Sequence, residues 1–165
     1  MVTRKHLKKF ALVEDATPSK WEGAILKALA AINAKSGNRY TPEQVLKHLE
    51  QWKAAVGDQT AIWLAVDEDL LNIEKLPQNC VVGFLTLDLG RDDAGCPVAM
   101  MSRGWTAPGY GADIWAVVCT EVEAWARAHK CRRIQFQSER GALAGWLGGD
   151  AFKEKETIYE KEITL

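Results

Sequence analysis

The stretch WTAPGYGADIWAVVCTEVEAWARAHKCRRIQFQSE, Trp105 to Glu139, constrains the fold of this 165-residue chain more than any other. It reads as a glycine-containing loop, a long helix and a short strand. From Ala112 onward, Trp115, Val118, Val122, Trp125 and His129 recur at steps of three and four, which places them on one helical face. Glu121, Glu123, Arg127 and Lys130 fall mostly elsewhere, so the helix is amphipathic with a broad apolar stripe. Burying Val118 and Val122 stabilises by roughly 1.5–3 kcal/mol each, and the tryptophans by more. Arg132 to Gln137 then alternates with the period of a strand, Ile134 and Phe136 on one side. A helix packed on a sheet is the expected layer.

The flanking sequence supplies the rest of that sheet. Phe10 to Val13 reads as a first strand. Pro18 to Ala34 reads as a helix, with Thr17 as its N-cap, Pro18 at its first position and Trp21, Ile25, Leu29 and Ile32 along one face. Thr41-Pro42-Glu43-Gln44 has the pattern of a capping box and opens a second helix with Val45, Leu49 and Trp52 as its expected buried stripe, ended at Gly57-Asp58. Ala61 to Val66 and Cys80 to Leu89 are strands, joined by a polar connection from Asp67 to Asn79 in which Leu70, Leu71 and Ile73 suggest a helical turn. Gly90 to Gly95 is a turn cluster and Pro97 to Gly104 the returning strand of a hairpin. Gly141 to Asp150 suggests a short helix, and Phe152 to Ile163 a closing strand or hairpin near an edge. With no repeat and no linker, residues 1–165 are expected to form a single α/β domain, a mixed central sheet with helices on both faces.

Composition narrows the function. A 47% hydrophobic content fills one core, and 21 basic against 22 acidic residues leaves no footprint for nucleic acid. No apolar run is long enough for a membrane span, so a membrane partner is not expected. Cys80, Cys96, Cys119 and Cys131 are irregularly spaced and read as free thiols in a reducing, cytoplasmic compartment. His6, His48 and His129 are scattered and no Cys-x-x-Cys occurs, so no metal site is expected. Asp92 and Asp93 read as a solvated turn rather than a calcium loop. Gly109-Tyr110-Gly111 fails as a dinucleotide fingerprint, because the third glycine position is Ile114. His129 reads as a cation at a helix C-terminus rather than a base.

The element order, the phrase EVEAWARAHKCRRIQFQSE and the tail RGALAGWLGGDAFKEKETIYEKEI resemble the GNAT superfamily of N-acetyltransferases, over about Thr41 to Ile163. The wording also resembles the short GNAT-like proteins encoded near virion genes of tailed bacteriophages. The family resemblance implies acetyl-CoA as co-substrate, an amine acceptor, and a loop at the start of the long helix whose N–H groups cradle the CoA pyrophosphate. On this chain that loop is Pro108, Gly109, Tyr110, Gly111 and Ala112. The family pattern there is Pro-x-Tyr-Arg-Gly-x-Gly-x-Gly/Ala; here the arginine is missing and the two later glycine positions fall on Asp113 and Trp115.

Two arrangements follow. In one, Asp113 caps the helix, its carboxylate taking the amides that pyrophosphate needs, while Trp115 fills the space of a close approach. In the other, Gly109 and Gly111 shift the loop and rebuild a cradle. The resemblance implies a catalytic Glu and a Tyr acid; Glu139 is the candidate base, and the tyrosine position falls at Trp146-Leu147. Lys130, Arg132, Arg133 and Arg140 gather where the 3′-phosphate of CoA could be met, or are simply solvated. The expectation is an acetyl-CoA-dependent N-acyltransferase with a degenerate loop. The alternatives are a non-catalytic protein that keeps the fold and binds a phage virion or host protein, within the cytoplasm or the phage particle, and a pseudo-enzyme that only senses CoA.

Overall fold

A computed structural model of the chain describes residues 10–36, 40–73, 77–137, 153–155 and 158–164. In chain order the elements are β1 (Phe10–Val13), α1 (Glu22–Ser36), α2 (Pro42–Val56), β2 (Thr60–Asp67), α3 (Glu68–Ile73), β3 (Val81–Arg91), β4 (Pro97–Thr106), α4 (Gly111–Ala128), β5 (Arg133–Gln137), β6 (Lys153–Lys155) and β7 (Ile158–Glu162). The sheet order is β1-β2-β3-β4-β5-β7-β6. It is mixed: β1 runs antiparallel to β2, β4 parallel to β5, and β7 antiparallel to both β5 and β6. The chain forms two compact units, Met1–Leu85 with Gly104–Ile114 and Thr86–Arg103 with Trp115–Leu165.

In the first unit every residue of β2 is buried, as are the first residues of β3, so both faces of these strands are covered. Successive side chains of a strand point to opposite faces. Ile62 and Leu64 join a core with Ala24, Ile25, Ala28 and Leu29 of α1 and Val45, Leu46 and Leu49 of α2. Ala65 points the other way, towards Gly83 and Ile114 at the start of α4. A Cβ built on Gly83 would stand 3.0 Å from the Ala65 Cβ and 3.1 Å from the Ile114 Cδ1. Glycine at 83 is thus what lets the first turn of α4 sit this close to the sheet.

The expected elements recur with physical adjustments at their ends. The capping box at α2 is complete: Thr41 Oγ1 accepts from the Gln44 N–H at 3.2 Å and Gln44 Oε1 from the Thr41 N–H at 2.9 Å. Gly57, with φ +61, closes that helix. Trp52, expected in its buried stripe, is instead 43% exposed, and Leu46 takes that role beside Val45 and Leu49. The first helix begins at Glu22 rather than Pro18. Thr17 does not cap it; its carbonyl accepts from the Lys20 and Trp21 N–H groups, so residues 17–20 form a turn that leads into the helix. The short helix expected over 141–150 lies outside the described residues.

In the second unit the hairpin turn is built by Asp92. Its Oδ1 accepts from the N–H groups of Ala94 and Cys96, and its Oδ2 meets the Arg133 guanidinium. This aspartate organises the turn and is half-buried, not simply solvated. Strand β3 runs on through Gly90, expected in the turn, to Arg91; a Cβ at Gly90 would meet the Met100 Sδ at 2.5 Å. On α4, Trp115, Val118, Val122 and Ala126 are buried, with Trp125 and His129 half-buried along the same stripe. In the tail β7 pairs antiparallel with β6, which stands at the sheet edge.

Candidate functional site

The loop from β4 into α4 lies within the first unit. Ala107 donates its N–H to the Val82 carbonyl at 2.8 Å, tying the loop to β3. Tyr110 then donates its N–H back to the Ala107 carbonyl at 3.1 Å, and Gly109 takes φ +85. Proline second and a positive-φ glycine third, closed by that bond, is the pattern of a type II turn. Only glycine adopts this backbone without strain, so Gly109 carries the special conformation expected of it. Gly111 does not share it; it is buried and is the first residue of α4.

Tyr110 precedes the helix, its carbonyl accepting the Ile114 N–H at 3.0 Å. At that position a Ser, Thr or Asp would turn its side-chain oxygen onto the next amides. Tyr110 sends its hydroxyl elsewhere, donating to Asp67 Oδ2 at 2.5 Å, in the range of a charge-assisted bond. Asp67 closes β2 and is buried, and its Oδ1 accepts from the N–H groups of Asp69 and Leu70 at 2.9 and 3.0 Å, so it also caps α3. The bond to Asp67, then burial, then the nearby carboxylates of Asp67 and Asp69 push the Tyr110 pKa up to about 12 from 10.0. The phenol is therefore a donor at all ordinary pH.

Asp113 does not cap the helix. It stands third in α4, and among the described residues no hydrogen bond takes up the N–H groups of Gly111, Ala112 and Asp113. A helix start with three unspent donors and no capping oxygen is an anion-binding geometry. The Asp113 charge stands against it, and no arginine follows Tyr110. Pro108, Gly109 and Ala112 are exposed, Tyr110 is half-buried, and Trp115, one turn on, is 8% exposed.

The loop Pro108 to Ala112 is joined in the structure by Asp67, which sequence reasoning left in a polar connection. Its signal was present: an acidic residue between an apolar strand and a helical turn is an N-cap pattern. Glu139 and Arg140 lie outside the described residues, as do Trp146 and Leu147. Tyr159 has its backbone in β7, opposite Phe136. His129 closes α4, its ring Nδ1 2.9 Å from the Trp125 carbonyl, as a residue at a helix end does. Arg133 is engaged by Asp92, which removes it from the basic group proposed for a 3′-phosphate; Lys130 and Arg132 are exposed. Cys131 is fully buried and burial pushes its thiol up, so it is no nucleophile. Among the described residues no group of His, Cys, Asp and Glu could hold a metal ion.

No family model and no curated protein sequence matches the chain. Solved structures do. An acetyltransferase of the GNAT family from Staphylococcus aureus Mu50 superposes with a TM-score of 0.67 at 13% identity, covering 94% of this chain and 100% of its own. Glucosamine-6-phosphate N-acetyltransferase from Arabidopsis thaliana gives 0.66 at 8% identity, with 96% and 98% covered. A chain from the NatC complex bound to Gag peptide and CoA gives 0.65 at 16% identity, with 93% and 99% covered. At such identities the likeness is one of fold. This chain has the α/β fold of the GNAT acetyltransferases.

Proposed function

We propose that this chain is an acetyl-CoA-dependent N-acyltransferase of the GNAT superfamily, with Pro108 to Ala112 and the opening of α4 as its pyrophosphate cradle. The observation that carries the reading is the start of α4: the residue at the capping position turns its side chain to Asp67, and among the described residues no hydrogen bond takes up the next three amides. Pyrophosphate oxygens fit donors of that kind, and the glycine at 109 gives the turn its shape without a side chain in the way. One of the solved chains that shares the fold comes from a complex bound to CoA, which supports the same ligand here.

In this reading the acyl group passes from the thioester sulfur to an amine. A C–N bond forms, the C–S bond breaks, the amine gives up a proton and the sulfur leaves as the thiol. The chain's contribution is to hold the thioester beside the amine, which by itself lowers the barrier substantially. Glu139 is the residue we assign to take the amine's proton; Glu139→Gln should lower turnover and leave acetyl-CoA affinity unchanged, and equal turnover in both proteins would remove it from that role.

A second reading has its own observation. Trp115 is 8% exposed at a position where the family pattern has a glycine, and a bulky buried ring there favours a protein that keeps the fold without turnover and binds a protein partner, on a virion or in a host. Thiol release from acetyl-CoA, measured over a panel of small amines, polyamines and peptide N-termini, separates the two. Amine-dependent release supports the transferase. Its absence across the panel, in a protein that melts cooperatively, leaves the second reading standing.

A further inference from the structure

We propose that Asp67 and Tyr110 form a latch that sets the anion-binding geometry at the start of α4, making Asp67 a positioning residue for the pyrophosphate of the CoA thioester. The inference rests on the acyl-CoA reading above and deepens it.

Asp67 does not serve as a base. Its two oxygens accept three hydrogen bonds, from Tyr110 Oη at 2.5 Å and from the Asp69 and Leu70 N–H groups at 2.9 and 3.0 Å, and the residue is 6% exposed. Both oxygens are already taken by donors, so the carboxylate is occupied in holding structure. What it does is fix direction. The backbone of β2 and the first turn of α3 hold the carboxylate, and the carboxylate holds the phenol.

The phenol in turn fixes the loop. The turn at 107–110 is tied at its near end by Ala107 N–H to Val82 O and at its far end by Tyr110 Oη to Asp67. Both anchors belong to neighbouring strands of the sheet, β3 and β2. Between them, Gly109 at φ +85 sets the angle at which the chain enters α4. The latch has a second effect: it draws the only side chain at the capping position away from the amides of Gly111 to Asp113. Donors ordered before the ligand arrives bind it more tightly, because the cost of ordering is already met in the free protein. The missing family arginine makes this ordering more important here, since fewer charges hold the phosphates.

The test uses the full chain, two ligands and three variants. Tyr110→Phe removes only the hydroxyl, Asp67→Asn removes the charge, and the double variant closes the cycle. Acetyl-CoA carries the pyrophosphate; S-acetylpantetheine carries the same thioester without it. Affinities are read by calorimetry, with urea melts showing each variant to be folded. Each single variant should bind acetyl-CoA about tenfold more weakly, the size expected for one charge-assisted contact. S-acetylpantetheine should bind as it does to wild type, and the double variant should lose no more than the worse single one. A wild type that binds acetyl-CoA while Tyr110→Phe binds it equally well overturns the latch alone. Equal losses for both ligands, or losses that add in the double variant, also overturn it. A wild type that binds no acetyl-CoA removes the acyl-CoA reading and the latch together. Should Asp67→Asn fail to fold, Tyr110→Phe decides the matter by itself.

Discussion

Tyr110 shows how one side chain can decide what a helix start is for. Its hydroxyl is held protonated by Asp67, so its pKa is pushed up to about 12 from 10.0. The folded state binds this proton more tightly than the unfolded chain does. The resulting stability is complete below about pH 10 and is lost as pH rises towards about 12. Urea melts across that alkaline window should show the decline, and Tyr110→Phe should flatten it; a decline of equal slope in both proteins would detach it from this residue. At Asp113 and Trp115 the structure separates two residues that the sequence had linked. Asp113 is no cap, so Asp113→Ala should lose only the dipole contribution, about 0.3–1 kcal/mol. Trp115 is core, and Trp115→Ala should cost about 3–5 kcal/mol by the same melts. A near-neutral Trp115→Ala would place the ring in a groove instead. The loop residues were legible because proline, glycine and tyrosine carry local rules. Asp67 was legible only as an N-cap; its bond to Tyr110 was not, because the partner is 43 residues away and no local pattern announces a tertiary hydrogen bond.

At the scale of elements, periodicity located the described helices and strands, and their ends were set by hydrogen bonds that periodicity does not see. The Thr41 box was readable because both partners lie within four residues. Thr17-Pro18 offered the same first two letters without a Gln three residues on, and the Thr17 carbonyl, not its side chain, takes the next amides, so the helix starts a turn later. Trp52 matched the helical period but sits at the margin of the stripe, where a large ring stays partly wet. Gly83 is the element-level feature that positions the site. Its missing Cβ admits Ile114 against Ala65, and so brings the first turn of α4 onto the sheet. Gly83→Val should cost about 1–3 kcal/mol through overpacking, with the start of α4 displaced. Hydrogen exchange at residues 111–116 reads that displacement; protection equal to wild type would show that the helix start does not depend on this approach.

For the molecule as a whole, the sequence disclosed a mixed sheet with a long helix after the hairpin, and the same fold is shared by acetyltransferase structures that are at most 16% identical among those compared above. Fold survives such divergence because it depends on the period and volume of apolar residues, which many sequences satisfy. Site chemistry does not, because it depends on single groups, and here no arginine follows Tyr110 while Asp113 and Trp115 stand in the opening of α4. Whether the uncapped helix start still binds an acyl-CoA is therefore the central question, and a urea melt of the full chain with increasing acetyl-CoA answers it most directly. A ligand that binds only the folded state should raise stability with the logarithm of its concentration, by about 2.7 kcal/mol at a hundred times its dissociation constant. We expect that rise for wild type. A midpoint that stays put as acetyl-CoA reaches millimolar concentration would contradict the acyl-CoA site.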